Sequence, residues 1–305
     1  MATSGPEQFF DPIQPEGDDE CKEILWHYTD ADGLLGILNS RRIRATHVAH
    51  LNDPSELVHG EELAVSVASD LANSLAKDSG NDIAIAALTR FRLNWGTIRL
   101  SASWEIFAAS FCNDQGNRLS QWRGYGGAGS GYSLGFKRVA ISIEDYPHLL
   151  VQVRYPEDPN TEKLRSSFDA IVAAVQLSVA AGAERESVIA LALAKLNIVA
   201  QVFALKVKHA GFSEENEWRL VAIPGIATGK GNPRIQYRPS NRGIVPYVAL
   251  PIGDASTRRL PLHMIKVGPS NNPGASVRAV KELLKSLKYP DADSLVEHSG
   301  IPYRG

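Results

Sequence analysis

Glu215 and Glu217 stand two apart in the run Phe212-Ser213-Glu214-Glu215-Asn216-Glu217-Trp218-Arg219-Leu220-Val221-Ala222-Ile223. The end of this run is apolar and reads as a strand. At strand period Glu215, Glu217 and Arg219 share one face, and Trp218, Leu220 and Ala222 share the other. Two neighbouring carboxylates repel unless a cation or the hydroxyls of a substrate satisfy them. Carboxylates set around an anomeric carbon are what glycosidases use. The plainer reading is a solvated strand edge carrying a Glu–Arg pair, which is worth little.

A second group lies near the start. Ile24-Leu25-Trp26-His27-Tyr28-Thr29-Asp30 reads as a short strand that brings His27, Tyr28 and Thr29 to the mouth of a helix. Asp30 or Asp32 can cap that helix, whose Leu34, Leu35, Ile37 and Leu38 fall on one side. Arg41 to Ala45 reads as a return strand. Ile106 to Cys112 is another, with Ser110 either a ligand contact or a small residue at a tight packing point.

Between them in chemical interest is an aromatic and glycine-rich stretch, with Trp122, Tyr125 and Tyr132 and six glycines between Gly124 and Gly135. Gly124, Gly126 and Gly129 spell a dinucleotide fingerprint, and Gly131-Tyr132-Ser133-Leu134-Gly135 spells a nucleophile elbow. Each needs a strand before it and a helix after it. Here a helix-like or glycine segment precedes, and Val139 to Ile143 looks like a strand, so both patterns fail on context. What remains is a loop offering flat aromatic faces and close backbone approach, or else a core Trp with two surface tyrosines.

Taken together, His27-Tyr28-Thr29, Leu51-Asn52-Asp53-Pro54-Ser55-Glu56, Phe107 to Phe111, Trp122 to Gly135 and Glu215-Asn216-Glu217-Trp218-Arg219 resemble a bacterial family of unknown function. That family is itself similar to ADP-ribosyltransferases of the diphtheria-toxin and poly(ADP-ribose) polymerase type. The opening departs from those enzymes in having Tyr28 where they have Gly. The resemblance implies an α+β fold, a split antiparallel or mixed sheet flanked by helices, with a helical-hairpin insertion. It implies NAD as substrate and no metal. Glu217 would be the catalytic carboxylate and Glu215 would help place the acceptor. His27 would bond the adenosine ribose, and Tyr28 or Thr29 would lie near the nicotinamide amide. Trp122, Tyr125 or Tyr132 would stack on the nicotinamide, and Ser110 would brace the carboxylate. The partners implied are a protein or nucleic-acid acceptor and a cognate antitoxin or regulator, in a toxin or phage-defence effector. The variants of this reading are an NAD glycohydrolase and a non-catalytic nucleotide-binding module.

The elements that must position these residues follow from pattern. Residues 1–22 are polar, acidic and rich in Pro and Gly, and read as a flexible arm, with 23–305 a single domain. Helical insertions are expected at about 53–100 and 160–209. The first opens with Asp53 as cap and Pro54 at the first helical position, with Glu56 either a capping-box carboxylate or a ligand contact. Further strands are expected at Leu149–Tyr155, Arg234–Tyr237, Gly243–Leu250, Met264–Gly268 and Leu295–Tyr303, and a helix at Gly274–Lys288. A net charge of −2 gives no general attraction to phosphate backbones. Val188 to Val207 is the most membrane-like run, but Lys195, Asn197, Gln201 and Lys206 interrupt it, so no membrane span is expected. Cys21 and Cys112 lack metal-ligand spacing and point to a reducing, cytoplasmic setting. His47, His50 and His59 have no acidic or Cys partner at fixed spacing, so no metal site is expected.

Overall fold

A computed structural model describes residues 23–51, 55–101, 106–126, 131–141, 148–155, 161–224, 233–240, 243–253 and 259–302. The arm, the Asp53-Pro54 helix start and Gly127 and Gly129 lie outside those residues, as do the side chains of Glu56 and His59. The chain divides into two compact units, one from Leu51–Glu105 and Val153–Ser213, the other from Pro12–His50, Ile106–Gln152 and Glu214–Gly305.

Among the described residues, the sheet unit holds ten strands: β1 (Ile24–Thr29), β2 (Arg42–His47), β3 (Phe107–Cys112), β4 (Tyr132–Lys137), β5 (His148–Gln152), β6 (Glu217–Ala222), β7 (Ile235–Ser240), β8 (Gly243–Pro251), β9 (Leu262–Val267) and β10 (Val296–His298). Four helices accompany them: α1 (Ala31–Ser40), α4 (Leu119–Tyr125), α5 (Arg138–Ile141) and α8 (Pro273–Ser286). The order is β10-β9-β4-β1-β3-β2-β8-β7, with β6 also on β3 and β5 on β6. Only β10 and β9 run parallel, so the sheet is mixed and open and the class is α+β.

Strand β3 is the branch point. Along one edge, all six of its residues pair with β6. Its other edge is shared. Ala108 and Phe107 oppose Thr46 and His47 of β2, whereas Cys112 opposes Trp26 of β1. The sheet therefore forks between β1 and β2. Asp30 caps α1, its Oδ1 accepting from the Gly33 N–H at 2.8 Å. Leu34, Ile37 and Leu38 enter the core, while Leu35 turns out to solvent. That core takes alternate residues from each strand, including Leu25, Phe111, Leu134, Trp218, Leu250 and Ile265, and is closed by Val280 and Leu284 of α8.

The helical unit contains α2 (Ser55–Leu75), α3 (Asp82–Ser101), α6 (Glu162–Ala180) and α7 (Arg185–Ala204), packed through Leu71, Leu88, Phe91, Phe168, Ile189 and Leu196. Gly60 lies against Ala204 with no room for a Cβ, so α2 and α7 approach closely there. Among the described residues, α7 is the one helix long and apolar enough to cross a membrane. Here Ala192, Leu196 and Ala200 bury one side of it among the other helices.

Two expectations are corrected. Val139 to Ile141, the described part of the stretch expected as a strand, is helical: Arg138–Ile141 is a helical turn whose buried Arg138 pairs with Glu23 and lies over the Trp218 ring. The strand expected to reach Tyr155 ends at Gln152, and Arg154 instead bridges to Val207. Of the glycine-rich stretch, Gly131 and Gly135 serve packing. Gly131 and Gly268 leave room for the Trp122 ring, as Gly116 and Gly135 do for Trp26.

Gly116 also has φ 67°, so a side chain there is doubly opposed. We expect Gly116→Ala to cost about 1–3 kcal/mol in urea unfolding. Gly124→Ala, at a helical position with open space, should be neutral or stabilising by about 0.5–1 kcal/mol. Equal midpoints for the two variants would refute the packing assigned to Trp26.

Candidate functional site

Sheet register decides which chemistry-bearing side chains meet. Directly opposed residues of an antiparallel pair share a face. Cys112 opposes Trp26 on one side and Glu217 on the other, and Ser110 opposes Arg219. Trp26, Tyr28, Ser110, Cys112, Glu217 and Arg219 thus belong to one face. His27 falls on the opposite face with Leu25 and Phe111, its ring 5.5 Å from that of Phe111. Thr29 and Tyr132 oppose each other on His27's face, where Tyr132 packs against the main core. The predicted residues are therefore divided between two sides of the sheet. His27 and Glu217 do not share a face.

Glu217 and Arg219 form a buried bidentate pair. Arg219 Nε donates to Oε1 at 2.8 Å and Nη2 to Oε2 at 2.9 Å. Glu217 is 4% exposed and Arg219 1%. The solvated strand edge is thereby excluded: the whole of β6 is buried. Glu215 does not share this face as a strand residue. It ends a 3-10 turn, Ala210–Glu215, and Asn216 follows with φ 42°, which breaks the alternation before β6 begins. The Asn216 carbonyl accepts from the Asn113 N–H at 2.9 Å, and Asn216 Nδ2 donates to the Asn113 carbonyl at 2.8 Å. These bonds tie the turn before β6 to the end of β3.

Beside the ion pair, Trp26, Tyr28, Cys112 and Trp122 make a small aromatic core, with half-buried Tyr125 packed against it. Tyr28 meets Trp122 edge-on at 4.9 Å. Its hydroxyl donates to Asp114 Oδ2 at 2.9 Å and accepts from the Arg118 N–H at 3.0 Å. Asp114 Oδ1 also accepts from the Gly116 N–H at 2.6 Å. Trp122 Nε1 donates to Asn117 Oδ1 at 3.2 Å, and Asn117 Nδ2 donates to the Ser299 carbonyl at 2.6 Å. Burial raises the pKa of the Tyr28 phenol and, with the charges of Asp114 and Glu217, that of the Cys112 thiol, so both stay protonated at neutral pH. Tyr28 and Trp122 are core residues here; Ser110, Tyr125 and Tyr132 keep part of their surface exposed.

Asp114, Asn117 and Asn216 escaped the sequence reading. The turn chemistry of Asn113-Asp114-Gln115-Gly116-Asn117 was the available signal. Ser133, the candidate elbow serine, is fully buried and donates to the Gly116 carbonyl at 2.8 Å. His47 and His50 lie 5.9 Å apart ring to ring, and no group of three potential metal ligands occurs among the described residues.

His27 has a structural task at the fork. Its Nδ1 lies 2.9 Å from the Ser110 carbonyl oxygen, and because a carbonyl only accepts, Nδ1 carries the proton. The side chain thus bonds β3 close to where β1 and β2 diverge. Burial lowers its pKa, opposed by that hydrogen bond.

Residues 121–220 match the profile of a family described as a protein of unknown function, DUF2971. The matched span holds Trp122, Tyr125, Tyr132, Glu215, Glu217 and Arg219, and omits His27 and Ser110. No curated protein and no solved structure matches the chain.

Two expected outcomes follow from this geometry. Arg219→Met strands a buried carboxylate and should cost about 3–5 kcal/mol, and adding Glu217→Gln should restore part of it. Additive losses in a urea double-mutant cycle would mean that the two do not interact. For His27, a folded-state pKa below the unfolded value gives stability that is full above about pH 6.5 and lost as pH falls through the folded value. His27→Asn should flatten that acid-side slope in stability measured against pH. His47, also held low by burial, supplies a remaining slope.

Proposed function

We propose that the protein is an NAD-dependent ADP-ribosyltransferase whose working carboxylate is Glu217. The observation that carries this reading is the fork in the sheet, with Ser110, Cys112, Arg219 and the single carboxylate Glu217 gathered on one face of β3 and β6. In the reaction, the bond between nicotinamide and ribose breaks, its electron pair leaves with the nicotinamide, and oxocarbenium-like charge develops on the sugar. Stabilising that charge is electrostatic work. Arg219 fixes the orientation of Glu217 through two hydrogen bonds. The acceptor's nucleophile then bonds to the anomeric carbon and gives up its proton. With water as acceptor the same chemistry makes an NAD glycohydrolase.

In this reading Ser110 and Tyr125 retain the surface to touch a ligand, and His27 positions the strand that carries Ser110. A second reading, a nucleotide-binding module without catalysis, is favoured by the engagement of both Glu217 oxygens by Arg219 and by the small exposure of the pair.

Nicotinamide release from NAD, followed chromatographically with and without cell lysate, separates the possibilities. We expect release by the wild type and a loss of about 100-fold or more in Glu217→Gln. Release without lysate identifies the glycohydrolase, and NAD binding by calorimetry with no release identifies the module. No binding and no release under any condition overturns both readings.

A further inference from the structure

The sheet unit carries a second chemically distinct surface, on the β2–β8–β7 arm. Strands β2, β7 and β8 contain no Asp or Glu, but they contain Arg42, Arg44 and Arg238. The imbalance extends along the chain. From Gly33 to Asn52 there are three arginines and no acidic residue, and from Leu220 to Gly253 there are four basic residues and none acidic. In a protein of net charge −2, that is a marked local excess of positive charge.

Register gathers the three arginines. Arg42 and Arg44 alternate with core-facing Ile43 and Ala45, Thr46 opposes Tyr247, and Tyr247 opposes Gln236. All these polar side chains share one face. The contacts agree. The Arg44 guanidinium lies over the Tyr247 ring at 5.4 Å, and the Tyr247 hydroxyl donates to Gln236 Oε1 at 2.9 Å. Arg238 Nη2 donates to Thr46 Oγ1 at 3.4 Å, and Arg42 Nη1 donates to the Ala249 carbonyl at 3.2 Å. Arg42 is exposed and Arg44 and Arg238 are half-buried, yet none forms an ion pair with a carboxylate among the described residues. Three guanidinium groups held together this way repel one another unless an external anion neutralises them.

We propose that this arginine face binds the sugar-phosphate backbone of single-stranded nucleic acid. Guanidinium forks match phosphate oxygens two by two. A backbone with regularly spaced charges can neutralise all three arginines at once, and its binding is driven by the release of counterions. Three short strands spaced about 4.8 Å apart give a low surface, suited to a laid-down single strand. A duplex is read by elements that enter its grooves, and the three arginines here all stand on strands, Arg44 lying against Gly36 of α1. In the proposed transferase the bound strand would be the acceptor, and that last step alone rests on the reading above.

The test is fluorescence anisotropy of labelled oligouridylate and oligothymidylate with the full chain, without NAD and over a range of salt. We expect binding at low salt that weakens as salt rises. Replacing Arg42, Arg44 and Arg238 together by Ala should weaken binding at least about tenfold and lower the slope of log K against log salt by about 2. Arg185→Ala, which removes an exposed cation that pairs with Asp82 on the helical unit, should change neither. Circular dichroism checks that the variants stay folded. If the triple variant does not, Arg42→Ala, at the exposed end, must lower the slope by about 0.7. No binding at low salt, an unchanged slope, an equal loss in Arg185→Ala, or equal competition by polyglutamate or duplex would overturn the proposal. None of these readouts uses NAD, and repeating them in Glu217→Gln keeps this outcome separate from failure of the transferase reading.

Discussion

One edge of a six-residue strand serves two partners, and the sheet unit is arranged around that constraint. A backbone carbonyl left without a partner inside a protein is costly, and strand edges normally avoid this by continuous pairing. Here β1 and β2 each take one end of the same edge of β3, so pairing is interrupted between them. His27 donates to Ser110 in that interval. Helix α1, which joins β1 to β2, packs Leu34, Ile37 and Leu38 into the same core. The fork is thus held by one side-chain bond and one short helix.

The two faces of the sheet then take different physical roles. The core face is apolar and continuous from Leu25 to Ile265. The other face is a patchwork of small, separately satisfied groups. Trp26 and Trp122 are accommodated by glycines, Tyr28 is held by Asp114 and Arg118, and Glu217 is held by Arg219. A buried ion pair contributes little over a well-packed apolar pair, so its presence at the start of β6 is more informative about specificity or chemistry than about stability. Farther along this face the arginines of β2 and β7 have no such carboxylate partner among the described residues, in contrast to Arg219.

Much of the element order was readable from periodicity. The strand-helix-strand opening, the long Ala- and Val-rich helices, the β6 strand and the Pro273–Ser286 helix all fall where pattern puts them, within a few residues. Val139 to Ile141 misled because β-branched residues favour strands, while the Arg138 contact with Trp218 and Glu23 holds a helical turn. Glu215 misled because strand alternation was extended through Asn216, whose left-handed backbone resets the direction of the chain.

The sequence by itself determined the chemical inventory: a Glu–Arg pair at strand spacing, a His-Tyr-Thr triplet before a capped helix, and most of the strands and helices one by one. Those properties are local, set by side-chain period and capping. Which groups meet was decided only by tertiary register. A shift of one residue in β1 against β3 would move His27 to the side of Glu217, and nothing in either strand's own pattern records that choice. The ion pair's burial and the pooling of Arg42, Arg44 and Arg238 likewise depend on strands far apart in the chain lying side by side.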